Sequence, residues 1–195
     1  FRDLAMFNDS LLAKQAWWLL HDQNTLFYKV FKARFFPNTT IIEAKDSRLG
    51  SYAWRSILVG RDVVQRSVRW RVGNGEKIRI WQDHWLPKKH PPLLSECPIA
   101  YFEDSIVDIL IDPHTRQWNV EMVEGLFHKE EAEVIKQIPL SQLASEDILY
   151  WPYSNNGMYN YKSSYKFLKM EEELMDKVHE SLTDGDTRFG SKYGP

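Results

Sequence analysis

Seven cations crowd one short stretch of this sequence: Arg55, Arg61, Arg66, Arg69, Arg71, Lys77 and Arg79 fall within 25 positions, with Trp70 and Trp81 interleaved. A guanidinium offers phosphate a fixed fork of donors, and an exposed aromatic ring can stack on an unpaired base. The chemistry such a set would perform is non-covalent: residues 51–85 would hold RNA, DNA or an RNA/DNA heteroduplex, mainly by its backbone, with Trp81 beside the cations. The competing account makes Trp54, Trp70 and Trp81 core residues, and pairs their neighbouring arginines with acids elsewhere in a longer polypeptide.

Other reactive side chains form weaker patterns. Asp83, His84 and His90 lack a third metal ligand at a defined spacing, and His114 and His128 are isolated, so surface turns explain them better. Cys97 is the single cysteine; it has no nearby base, and it excludes both an internal disulfide and a CxxC zinc module. Glu130, Glu131 and Glu133, and the run Glu171 to Glu173, diverge along helices instead of converging on a metal, which makes them solvated faces. Gly73-Asn74-Gly75 lacks the following Lys-Ser/Thr and helix of a phosphate loop and reads as a turn. No catalytic residue and no metal ligand is assigned.

The elements that would position the cations follow from periodicity. Asn8-Asp9-Ser10 can cap a helix over 11–20, a second helix is expected over 25–35 before Pro37, and Ser51 can cap a third over 52–66, weakened at Gly60. The period then changes. Residues 68–72 and 77–81 alternate around Gly73-Asn74-Gly75, which predicts a β-hairpin with an apolar and a cationic face. Beyond a Pro-rich connector at 88–105, a short apolar element at 106–110, a helix from Asn119 through 126 and an acidic helix over 129–137 are expected. A second hairpin is expected around residues 154–157, then a last helix from 163. The fold class is α+β, mainly helical, with two small antiparallel hairpins. The segments are a basic aromatic-rich part (1–87), the connector (88–105), an acidic α+β part (106–169) and a disordered tail (170–195).

Charge follows the same division: residues 1–90 hold 16 basic against 8 acidic side chains, and residues 91–195 hold 9 against 19. No apolar run approaches the ~20 residues that span a bilayer, and the opening residues lack the pattern of a signal peptide, so no membrane partner is expected. The first methionine is Met6, and the chain reads as a piece of something longer.

Several motifs together resemble the plant LINE-type, non-LTR retroelement reverse transcriptase. They are Phe1-Arg2-Asp3-Leu4, Leu11-Leu12-Ala13-Lys14-Gln15, Ser51-Tyr52-Ala53-Trp54-Arg55, Arg69-Trp70-Arg71-Val72-Gly73-Asn74-Gly75, Ile78-Arg79-Ile80-Trp81 and Gly157-Met158-Tyr159-Asn160-Tyr161. The resemblance runs to about residue 168, and the first half is also similar to short reading frames of plant mitochondrial genomes. It implies the region between the polymerase domain and the downstream zinc-binding and ribonuclease H modules. The polymerase metal site of that family is a Tyr-x-Asp-Asp motif, and no adjacent Asp-Asp occurs in this sequence. The implied magnesium and zinc therefore belong to other parts of the parent polypeptide, and this chain has no cofactor of its own. The implied role is a non-catalytic connection region that contacts nucleic acid and the remainder of its parent. The alternative is a decayed retroelement remnant, or an interaction module without maintained activity. The compartment would be the nucleus for an active element, or the mitochondrion.

Overall fold

The computed structural model describes residues 3–46, 50–87, 102–141, 143 and 145–186, the stretch 178–186 by its backbone alone. The chain divides into two compact units, Phe1–Ser67 with Tyr153–Pro195, and Val68–Pro152. This division follows tertiary contacts instead of composition. The expected connector at 88–105 falls within the span of the second unit, and its residues 88–101, Cys97 and His90 among them, lie outside the described residues.

The first unit is helical: α1 (Leu4–His21), α2 (Leu26–Phe35), α3 (Tyr52–Ser67) and α6 (Tyr161–Asp186). α1 starts well before the expected cap at residues 8–10 because Asp3 caps it, its carboxylate accepting the N–H groups of Ala5 and Met6 at 2.8 and 3.0 Å. Ser10 is instead buried inside the helix, its hydroxyl donating to the Met6 carbonyl. α2 and α3 start where expected, at the Thr25 and Ser51 hydroxyls, which accept from Tyr28 N and Trp54 N. α1 packs on α3 and α6. Gly60 is the reason α1 and α3 can meet closely: a Cβ there would overlap the backbone of Leu12 and Ala13. Trp54 is fully buried and stacked on Phe35, 4.5 Å between ring centres. α6 continues through 170–186, a stretch expected to be a disordered tail. Glu171, Glu172, Glu173, Leu174 and Lys177 are good helix formers that extend a helix already anchored by buried Phe167 and Leu168.

The second unit contains β1 (Arg69–Arg71), a 3-10 turn over Val107–Leu110, α4 (Val120–Leu126), α5 (Lys129–Gln137) and β2 (Ile148–Tyr150). The Asn119 side chain caps α4 through Met122 N. Ile78, Ile80, Trp85, Leu110, Val123 and Ile135 form the centre of its core.

The mainly helical α+β class stands, and its antiparallel pairing is present, but neither expected hairpin forms. β1 pairs with β2 in the register Arg69↔Tyr150, Trp70↔Leu149, Arg71↔Ile148. The other half of the first expected hairpin lies against 105–107 instead: Val107 N donates to Ile78 O and Ile80 N to Ser105 O, both at 2.9 Å. The other half of the second becomes a turn and the start of α6. Alternation fixes which side chains share a face but leaves the partner strand open. The partner is set here by a carboxylate distant in sequence, Asp147.

Candidate nucleic-acid interface

The cations of the basic stretch fall on both units. In the first unit, α3 carries Arg55, Arg61 and Arg66. Arg55 pairs with Asp46 at 3.6 Å, both side chains more than half exposed. Arg61 bonds its neighbour Asp62 at 2.6 Å and reaches back to the Ala44 carbonyl, so these two arginines fasten the segment before α3. Arg66 forms a two-pronged pair with Glu171 of α6, at 3.1 and 3.2 Å. Two of the three stay on the surface, while Arg61 is mostly covered.

In the second unit the cations differ sharply in exposure. Arg69 is buried, and its guanidinium donates to the Val68 carbonyl at 2.8 Å. Lys77 donates to Glu146 at 2.7 Å; this bond holds the ammonium pKa above its ordinary value and the Glu146 carboxyl below its own. Arg79 is anchored twice by Asp83, backbone N–H at 2.7 Å and Nε at 3.5 Å. Arg71 is exposed and makes no ion pair among the described residues. Trp81 is partly covered: its Nε1 donates to Phe102 O at 2.8 Å and its ring stacks on Phe127.

The turn between these cations is the hub of the unit. Asp147 is buried, and one of its oxygens accepts the N–H groups of Gly73 and Gly75 at 2.7 and 2.9 Å, while the other accepts Lys77 N at 2.9 Å. Three donors offset the desolvation of this carboxylate. Gly75 takes φ +82°, and a Cβ there would strike the backbone at Asp108. A Cβ at Gly73 would strike the carbonyls of Ser145 and Glu146. Arg116, in the left-handed region at φ 54°, donates to Gly73 O at 3.0 Å. The glycine turn thus cradles an anion, as a phosphate loop would, but the anion is the chain's own. Asp147 and Arg116 carry no local signal that spacing or periodicity would reveal; Asp147 meets Gly73 across a separation of 74 residues.

Beside the hub lies a groove of about 700 Å³ lined by Trp70, Arg71, Trp85, Ile138, Glu146 and Tyr150, among others. Its walls are mainly apolar and aromatic.

Of the remaining reactive side chains, Asp83, His84, His114 and His128 lie outside helices and strands. Asp83 serves Arg79. His84 is half-buried; burial first, then the neighbouring Arg69 charge, push its pKa down against the pull of Asp83. Asp112 accepts the N–H groups of His114 and Thr115, bonds that hold its carboxyl below the usual range. Among the described residues no group of three His, Cys, Asp or Glu is arranged to hold a metal, and no helix is long and apolar enough to cross a membrane.

Two plant proteins are similar to the chain. An uncharacterised mitochondrial protein of Arabidopsis thaliana is 37% identical over 91 residues, which is 47% of this chain and 59% of that protein. A protein of the same plant, provisionally named a ribonuclease H protein, is 28% identical over 181 residues, 85% of this chain and 27% of that protein. The chain therefore spans little more than half of one relative and about a quarter of the other. No family model matches, and no solved structure matches.

Proposed function

We propose that the chain is a connection segment of a plant LINE-type reverse transcriptase, contributing no catalytic group, which ties neighbouring parts of that polypeptide together and touches nucleic acid through its exposed cations. The observation that carries this reading is the capture of the glycine turn by Asp147. One motif of the resemblance, residues 69–75, is engaged in holding distant segments of one unit, as expected of a scaffold. The longer relative with a ribonuclease H name supports placing such a scaffold within a larger nucleic-acid enzyme. On this reading the magnesium of polymerisation and the zinc of the downstream module belong to other parts of the parent.

The nucleic-acid surface is then smaller than the seven cations suggest. Arg71, Arg55, Lys77 and Arg79 are accessible to phosphate, Arg66 is accessible at the cost of its Glu171 pair, and Arg61 and Arg69 act within the fold. Trp81 supports Phe127 more than it offers a stacking face. Titration of the chain with labelled single-stranded RNA, single-stranded DNA and RNA/DNA heteroduplex at two salt concentrations tests this. Each phosphate neutralised on a single strand contributes a slope of about −0.7 in log affinity against log salt, so the expected total lies between roughly −1 and −3. Salt-independent binding, or none by a folded chain, would remove nucleic-acid contact and leave a purely mechanical scaffold.

A further inference from the structure

We infer that the groove beside β1 and β2 is a binding site for an unpaired nucleotide of a single-stranded nucleic acid, with a phosphate on Arg71 and the base against the aromatic wall. The inference rests on the nucleic-acid contact proposed above and gives it a place and a strand preference.

Three observations carry it. The first is charge. Among the described residues, Arg71 and Glu146 are the charged ones lining the groove, and Glu146 is paired with Lys77 at 2.7 Å. Arg71 has no acidic partner among the described residues, although Arg79 and Lys77 in the same unit each have one. The rim therefore keeps one uncompensated guanidinium, which complements a phosphate. The second is the lining: Trp70 and Tyr150 contribute aromatic surface and Ile138 aliphatic surface, backed by the buried Trp85 and Val72. A base needs a flat apolar platform of this kind and gains affinity from it whatever its identity. The third is size. About 700 Å³ lies in the range of sites that enclose small ligands, ~300–1,000 Å³, which admits a base with its sugar but not a duplex.

The groove is also held open by rigid parts. One edge is the β1–β2 ladder, in which Arg71 faces Ile148 across the register, and the Asp147 hub lies immediately before that ladder. The other edge is the end of α5, where Ile138 O accepts from Trp118 Nε1 at 2.8 Å. A preformed site of this kind loses little ordering entropy on binding.

The test is fluorescence anisotropy of the full chain with a short labelled oligouridylate, beside an RNA/DNA heteroduplex of equal length. The variants are Arg71→Glu, Tyr150→Ala and, as a matched charge reversal in the other unit, Arg55→Glu; near-UV circular dichroism checks that each is folded. The expected result is tighter binding of the single strand than of the heteroduplex. Arg71→Glu and Tyr150→Ala should each weaken it about tenfold or more, with a smaller loss in Arg55→Glu. If the wild type binds but Arg71→Glu and Tyr150→Ala bind equally well, the groove is overturned while nucleic-acid contact elsewhere stands. Preference for the heteroduplex likewise overturns the groove alone. No binding of either probe by the folded wild type overturns both.

Discussion

The two units of this chain are closed by different means. In the helical unit the contacts are close-packed surfaces: small side chains such as Ser10, Ala13 and Ala16, with Gly60 opposite, let helices approach, and aromatic rings fill the rest. In the mixed unit an apolar core is joined by polar, discontinuous contacts: a carboxylate, three N–H groups, a three-residue ladder and an arginine on a carbonyl. Similar arginine-rich sequence therefore has different meanings in the two places. On α3 Arg55 and Arg66 stay on the surface and clip neighbouring segments, and Arg61 is mostly covered against the Ala44 carbonyl, whereas around β1 one guanidinium and the adjoining turn are part of the interior.

Asp147→Ala is the strongest way to test that distinction. It would leave three donors without their acceptor, each worth ~1–3 kcal/mol when buried and unsatisfied, so a loss of roughly 3–5 kcal/mol is expected. Hydrogen exchange should show amides of β1 and β2 losing protection while those of α1 and α3 keep theirs. Equal loss in both units would mean that they unfold as one cooperative body. Gly60→Ala is the mirror experiment. A methyl forced into the Leu12 backbone is expected to cost about 1–3 kcal/mol, read in chemical denaturation, with α1 and α3 losing protection first. The smallest effect has the opposite sign. Gly125, exposed on α4, has nothing within 4 Å of where a Cβ would sit. Gly125→Ala should stabilise the mixed unit by about 0.5 kcal/mol through helix propensity, measured as a small rise in Tm. Destabilisation there would show that position 125 is not in open space.

Sequence legibility divides along the same line. Ser51 and Asn119 cap the helices they were expected to cap, α2 begins at its Thr25 cap where a helix was expected, and α5 occupies residues 129–137 as its pattern indicates, because helix signals are local. α1 is read short because Asp3, its true cap, precedes a stretch in which Asn8, Asp9 and Ser10 are equally good cap residues. Residues 69–71 form a strand as expected, but Arg69 is buried, Trp70 partly covered and Arg71 exposed instead of alternating, and their mate is some 80 positions away in sequence order. Among the candidate site residues, Arg71 and Arg55 lie on the surface as expected. Arg69 could not be told from Arg71 by type or spacing, since they are two apart and share a strand face; only the Val68 carbonyl beside it and its burial separate them. The groove was invisible because its walls come from β1, β2 and the end of α5, which no sequence window joins.

The pairing of Arg69 with Tyr150 sets the two ends of the mixed unit side by side, a few ångströms apart as in any antiparallel ladder. The helical unit is thereby interrupted at one point and resumes almost where it stopped. In evolutionary terms, the segment between is a cassette: it can lengthen, shrink or be exchanged at its far loops without drawing α3 and α6 apart. In biosynthetic terms, the helical unit is the last to finish, because α6 leaves the ribosome only after the whole inserted segment has been made.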